Sequence, residues 1–332
     1  MPLEGAKVID VHAHVVLAKT FGIADHFGPE MGGQDGDDPW FRVGNYRLDG
    51  VRYKGSAFMN TEVRLEKMRQ ARIDFQVLSP NPLTFLHFVE PQIAIKFCKV
   101  HNDALHEVIS ENSTHFAGLA ALPMQDVSAA IDELERSVRE LDLLGGYIGT
   151  DMPHSLDDAK MDPFYEACVR LKIPLFLHPS PAGIDGPNGD SNLKDFDLDV
   201  VIGFAAQEAI AVARLIFGGV LDRHPNLDIC LSHGGGSTGF LIGRMAMASR
   251  KRPWANINLK ADGAFETLLS KIWFDNHLNN NESLSMLTSI VGDDRLVLGT
   301  NFSGWDAPDD LSTHLPPAKL ADNARRLLRL KN

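Results

Sequence analysis

Short apolar runs recur along nearly the whole chain, separated by stretches in which apolar residues return at helical spacing. The runs predict β-strands at Val8–Val11, Phe75–Ser79, Phe116–Ala121, Gly146–Ile148, Leu175–Leu177, Leu227–Ser232, Ile272–Phe274 and Leu296–Gly299. Ile131, Leu134, Val138 and Leu141 exemplify the helical pattern, falling on one face at a period of about 3.6 residues. Eight candidate strands alternating with helices fit an α/β chain folded as a (β/α)8 TIM barrel better than a doubly wound sheet. The whole chain, residues 1–332, reads as one barrel domain without internal repeats.

Two segments break the alternation. Residues 21–60 are rich in Gly and Asp, with Arg42, Tyr46, Arg47, Arg52 and Tyr53 interspersed. As the connection after the first strand, this insertion is too long for a turn and should emerge on the face where barrels carry their chemistry. It reads equally as a solvated excursion or as a lid whose Arg47, Arg52 and Tyr53 meet a substrate carboxylate. The tail over 305–332 begins as loop and ends in a basic helix, Ala321–Leu330, expected to pack on the barrel.

Composition narrows the class. With 44% hydrophobic residues, 23% charged residues and a net charge of −12, the chain is globular and ill suited to nucleic acid. Cys98, Cys168 and Cys230 lie far apart without a CxxC, which favours a reducing cytoplasm. The N-terminus lacks a basic and apolar leader, and no apolar run approaches spanning length, so no membrane partner is expected.

The chemistry gathers at strand ends. His12 and His14 follow the run Val8–Val11, and side chains two apart on a strand share a face. His178 closes Pro174-Leu175-Phe176-Leu177, and His233 closes Leu227–Ser232 before three glycines. A lone histidine at such a place is most often a core residue bonded to a carbonyl. Four at equivalent strand ends point instead to a divalent metal held by His12, His14 and His178, with His233 moving protons. The glycines 234–236 would let backbone approach that site closely. His224, before a strand, is expected to be structural, whereas His277 can reach the cleft. Phe85, His87 and Phe88, after Ser79-Pro80-Asn81-Pro82, read either as an aromatic wall for a planar substrate or as plain loop packing.

The ordered set Val8-Ile9-Asp10-Val11-His12-Ala13-His14, Phe176-Leu177-His178-Pro179, Ser232-His233-Gly234-Gly235-Gly236 and Leu298-Gly299-Thr300-Asn301 resembles the amidohydrolase superfamily. More closely it is similar to the branch of aminocarboxymuconate-semialdehyde decarboxylase, which Gly118–Gln125 and Gly218–Pro225 also match. The resemblance implies one zinc on His12, His14, His178 and a carboxylate after the last strand, a metal-bound water assisted by His233, and carboxylated aromatic or ring-fission substrates. By analogy it implies a homodimer. One position departs: Asn301 stands where the family pattern has Asp, and a neutral amide cannot accept a proton from bound water. Glu282, after the seventh strand, is the favoured replacement, as metal ligand and catalytic group. Asp306, or an Asn301 that merely orients a water, is the rival, and a dead enzyme is least favoured. Glu282 reads almost as readily as a helix-start acid stabilised by the macrodipole.

With Asn301 and the arginine-bearing insertion weighed together, the first expectation is a zinc-dependent C–C hydrolase of a meta-cleavage product. In it, metal hydroxide attacks a ketone, and Arg47, Arg52, Tyr53, His277 and Asn301 hold the substrate. The alternatives are a nonoxidative decarboxylase, a hydratase of an oxalo-dicarboxylate, and a non-catalytic metal-binding scaffold.

Overall fold

A computed structural model describes residues 5–181, 189–308 and 318–330. The chain enters on β1 (Ile9–Val15) and passes through a small antiparallel sheet of β2 (Glu30–Gly32), β3 (Trp40–Val43) and β4 (Tyr46–Asp49). Strands and helices then alternate: α1 (Thr61–Ala71), β5 (Phe75–Pro80), α2 (Pro91–Glu111), β6 (Phe116–Ala121), α3 (Val127–Glu140), β7 (Gly145–Gly149), α4 (Asp162–Leu171) and β8 (Leu175–His178). After β8 come α5 (Leu198–Val201), α6 (Gly203–Phe217), α7 (Val220–Arg223), β9 (Ile229–Leu231), α8 (Thr238–Lys251) and α9 (Ala264–Leu269). The rest is β10 (Trp273–Asp275), α10 (Asn281–Val291), β11 (Leu296–Val297) and α11 (Ala318–Leu327).

Among the described residues, β1 and β5 to β11 form one parallel eight-stranded sheet in sequence order. A parallel bridge between Asp10 and Leu298, with the Val11 amide donating to Leu298 O at 2.9 Å, joins its edges. The barrel expected from the eight runs is therefore present, each strand lying within a few residues of its predicted place.

Strand alternation explains the two cores. Ile9, Val11, Phe75, Val77, Ala117, Leu119, Tyr147, Phe176, Cys230, Trp273 and Val297 fill the barrel interior, and Ala321, Ala324 and Leu327 of α11, with Leu328 just beyond it, cap its N-terminal mouth. Their strand neighbours, among them Ala13, Leu78, Ile148, Leu175 and Leu231, face the helices. Strict alternation from Ile9 and Val11 would send His12 and His14 outward. A bulge between Asp10 and Ala13 reverses the parity and turns both imidazoles into the mouth. The buried Asp10 carboxylate accepts from the bulged His12 amide at 3.0 Å, and from Gln76 Nε2 and from Thr300 Oγ1 and N. Arg64, buried between α1 and the sheet, donates to Gln76 Oε1 at 2.9 Å and to the His14 carbonyl. Burial pushes the Asp10 carboxyl up to about 6 against those hydrogen bonds.

The insertion is a packed hairpin layer, not an open strap. Phe41, Val43 and Tyr53 are buried with Leu83, Leu86 and Phe97. This core accounts for the fate of its polar residues. Arg47 is half exposed, its guanidinium 4.6 Å over the Trp40 ring and paired with Asp49 at 2.6 Å. Arg52 is exposed and donates to Gly36 O. Tyr53 is buried, its hydroxyl accepting from Asn81 Nδ2 at 3.2 Å. None of the three lines the cavity at the barrel mouth, which corrects their expected role as substrate holders. Residues 309–317, 331 and 332 of the tail lie outside the described residues.

Leu198–Phe217 is long and apolar enough, by length and composition alone, to cross a membrane, so the sequence expectation that no run approaches that length was too strict. Here Glu208, Ala211, Val212, Leu215 and Ile216 of this stretch are buried, with the apolar members in the core between helices and sheet.

Candidate active site and metal centre

Each of three imidazoles in the mouth has one nitrogen committed. His12 Nδ1–H donates to Asp275 Oδ2 at 2.7 Å, and His178 Nδ1–H donates to Pro179 O at 2.6 Å. His14 Nδ1–H has Ser79 Oγ at 3.0 Å and Pro80 O at 3.1 Å. Such acceptors select the tautomer that leaves Nε2 as a lone pair. Burial keeps all three rings neutral: His12 is pulled down to about 4 despite Asp275, and His14 and His178 fall well below the usual histidine range.

The free lone pairs converge. His12 Nε2 and His14 Nε2 are 3.1 Å apart, and His178 Nε2 is buried without a hydrogen-bond partner among the described residues. One donor atom from each of the three lies within 4.8 Å of the others. Two unprotonated nitrogens facing each other at that distance repel, and a buried acceptor without a partner costs about 1–3 kcal/mol. A divalent cation relieves both. Tetrahedral ligation at ~2.1 Å separates donor atoms by roughly 3.4 Å, so this triangle fits one. Three imidazole nitrogens suit zinc and its first-row neighbours without singling zinc out.

Beside the triangle stands His233, its ring centroid 5.1 Å from that of His12 and 4.9 Å from that of His178. Its Nδ1–H donates to Glu208 Oε1 at 2.9 Å, leaving Nε2 as the available atom. Burial alone would lower this imidazole, but the Glu208 carboxylate, with Asp275 and Asp306 behind it, raises it to about 9. Glu208 is fully buried and also accepts from Ser232 Oγ at 2.6 Å. His233 holds this pose at φ 45°, in the left-handed region, and Gly234, Gly235 and Gly236 follow with positive φ. A Cβ on Gly236 would lie 2.3 Å from the Ala205 carbonyl oxygen, backbone that cannot swing away. Gly236→Ala is therefore expected to destabilise the protein by on the order of 2–4 kcal/mol, read as a lower denaturation midpoint.

His277 and Asn301 also reach the mouth. His277 Nε2–H donates to Asp306 Oδ2 at 3.0 Å and Asn301 Nδ2 donates to Asp306 Oδ1 at 2.6 Å, so both carboxylate oxygens are used. Although burial opposes it, the His277 and Asn301 contacts hold Asp306 down to about 2. Asn301, like His233, sits at positive φ, a conformation asparagine tolerates better than most residues. With Nδ2 spent on Asp306, its Oδ1 is the spare acceptor.

A cavity of about 210 Å³ opens on these groups, lined by His233, His277, Asn301 and Asp306, with Val200, Val201, Phe204, Leu278 and Trp305 as apolar walls. Phe85, His87 and Tyr147 stack at 5.3 and 5.7 Å between centroids, and Tyr147 lies 6.0 Å from His14 and from His178. The aromatic wall is thus next to the imidazoles, with Tyr147 added and Phe88 turned to Phe27 in the insertion layer.

Glu282 is not part of this arrangement. It is exposed in the first turn of α10, outside both the imidazole group and the cavity lining. There a carboxylate favours the helix dipole, the competing role open to it from the sequence. Glu282→Gln is expected to leave bound metal and turnover within about twofold of the parent, a surface-charge effect; metal analysis and rate assays check it. The carboxylates that do meet the histidines are Asp275, Glu208 and Asp306. Of these the sequence reading had weighed only Asp306. Asp275 carried a signal, ending a strand run two residues before His277. Glu208 had a fainter one, an acid inside the apolar helix α6. His224 is structural as expected, its Nε2 2.8 Å from Asp162 Oδ1.

A sequence model of the Amidohydrolase family matches residues 9–330. The chain is 31% identical over 304 residues to 2-amino-3-carboxymuconate-6-semialdehyde decarboxylase of Dictyostelium discoideum, covering 89% of this chain and 81% of the relative. It belongs to the amidohydrolase family. Within that family it falls in the aminocarboxymuconate-semialdehyde decarboxylase-like branch. This amidohydrolase is also 26% identical over 337 residues to gamma-resorcylate decarboxylase of a Rhizobium species, covering 95% of this chain and 98% of that one. Among solved structures, the dihydroxybenzoic acid decarboxylase of a Polaromonas species, with bound manganese and 2-nitroresorcinol, superposes with a TM-score of 0.74 at 22% identity. That match covers 98% of this chain and 97% of the other. The relatives favour the decarboxylase alternative over the C–C hydrolase placed first from the sequence.

Proposed function

We propose that this amidohydrolase is a metal-dependent, nonoxidative decarboxylase of a small carboxylated aromatic or ring-fission acid. The observation that carries the reading is His233 held on the buried Glu208 carboxylate beside three converging imidazoles, in a chain similar over most of its length to decarboxylases. Hydrolysis of a ketone calls foremost for a base that activates water, whereas loss of CO2 needs a proton delivered to carbon. His233, held on a buried carboxylate, is built to hold that proton.

His12, His14 and His178 would hold one divalent cation, which when bound supplies a Lewis acid for a substrate oxygen. Zinc was the expected ion; the Polaromonas decarboxylase structure holds bound manganese, so the proposal extends to either. The remaining steps belong to this chain's side chains. His233 gives its Nε2 proton to the carbon bearing the carboxylate, whose unsaturated system supplies the electron pair for the new C–H bond. The C–C bond then breaks, its electrons return to that system, and CO2 leaves. Glu208 keeps the imidazole oriented and stabilises its charged form, while Phe204 and Leu278 wall the cavity beside it. Asn301 and His277, both tied to Asp306, are suited to orient the substrate's polar groups.

The test is CO2 release from γ-resorcylate and from aminocarboxymuconate semialdehyde by the metal-loaded enzyme. Decarboxylation in D2O should place one deuterium on the carbon that lost CO2. Bleaching of a yellow ring-fission dienolate without CO2 would return the hydrolase reading to first place.

The proposal keeps two expectations from the sequence. Exposed Phe240 and Met247 on α8 and Met286 on α10 offer an apolar face for the expected homodimer, which light scattering would detect. The three buried free thiols suit the reducing cytoplasmic setting.

A further inference from the structure

At the opposite end of the barrel lies a wider cleft of about 770 Å³, between the loops that enter β9, β10 and β11 and the helix α11. Its charged lining is Lys271, Arg295, Arg326 and Arg329 against Asp228 and Asp294, an excess of cations on a chain of net charge −12. The acids are already engaged. Asp294 pairs with Lys319 at 2.5 Å, outside the cleft lining. Asp228 accepts from Trp273 Nε1 at 2.9 Å and from Arg329.

The cations are not all engaged. Arg295 and Arg326 both stack on the buried Trp273 indole, at 4.6 and 5.1 Å from the ring centroid. Arg326 spends donors on Asp294 O and Asn323 Oδ1. The Arg295 side chain, one-third exposed, makes no hydrogen bond among the described residues, and its one ion pair there, to Asp228, is stretched to 3.9 Å. The Lys271 side chain, exposed on the rim, forms no hydrogen bond or ion pair among the described residues. A guanidinium has five N–H donors in a planar fork that matches carboxylate and phosphate oxygens. One held over an indole, facing a cavity with its donors unspent and two like charges nearby, lacks an anion.

We propose that this basal cleft binds a small multivalent oxyanion, phosphate- or carboxylate-bearing, through Arg295 and Lys271 with help from Arg326 and Arg329. Such a ligand bridges α11 to the entry of β10 and β11 and so reinforces the cap over the N-terminal mouth. The site is separate from the imidazole mouth and independent of the reaction proposed there.

Thermal unfolding of the full chain tests it, with inorganic phosphate, tricarballylate or sodium chloride at matched ionic strength. The parent should show a saturable rise of a few degrees with an oxyanion beyond that with chloride, the behaviour of a ligand that binds the folded state. A rise with phosphate alone assigns a phosphate group, and a rise with tricarballylate alone assigns carboxylates. Arg295→Gln should abolish the rise and Lys271→Gln should weaken it several-fold. The same rise in His178→Ala protein excludes binding at the imidazoles. Should Arg295→Gln fail to fold, Lys271→Gln, on an exposed side chain, carries the test. A parent response equal to that of chloride, or an undiminished rise in the variants, overturns the proposal and leaves the cluster as a tether for α11.

Discussion

His178→Ala is expected to lower divalent-metal affinity by at least ~100-fold, since even partners one step removed from a metal are worth 10–100-fold. It removes one of the three converging nitrogens, the one already fixed by Pro179 O and buried without a partner at Nε2. The same fact predicts where the loss does not fall. Because Nε2 bonds nothing among the described residues, the metal-free forms of variant and parent should differ little beyond the cost of the lost ring volume. Metal stoichiometry after dialysis, set beside denaturation of the metal-free forms, separates the two effects. Full retention of metal by the variant would refute the assignment of His178 as a ligand.

The second large effect belongs to His233. His233→Ala should keep its metal and lose turnover by roughly 10²–10⁴-fold, the range for a displaced general acid. Glu208→Gln gives the finer reading. As a proton donor His233 works in its charged form, so activity is present below its pKa and is lost as pH rises through it. The Glu208 carboxylate is the largest influence raising that pKa to about 9 against the opposing effect of burial. Without the charge, the alkaline limb of the rate profile should move toward neutral pH, measured with the same metal in both proteins. An unmoved limb would detach Glu208 from the proton donor.

Much of this was legible from pattern alone. Period-two and helical spacing exposed eight strands and their crossovers, and the strand-end position of His12, His14, His178 and His233 exposed the mouth. The bulge was not legible, because Val8–Val11 reads as a regular strand while the parity reversal depends on Asp10 meeting Gln76 and Thr300 from distant segments. Arg47, Arg52 and Tyr53 misled because composition marks a segment as polar without telling whether its cations are spent locally; here Asp49, Trp40 and Gly36 O take up the arginines. Glu282 misled in the opposite way, since a helix-start acid and a site acid look alike until the helix is placed. Asp275 and Glu208 act on His12 and His233 through contacts spanning 263 and 25 positions, which no local pattern encodes.

The convergence of three neutral imidazoles on one cation is tested most directly by anomalous diffraction from crystals of the metal-loaded protein, collected at the metal edge. One peak within ~2.0–2.3 Å of the Nε2 atoms of His12, His14 and His178 is the expected result. A strong peak elsewhere in the barrel, or none in protein carrying one equivalent of metal, would contradict it.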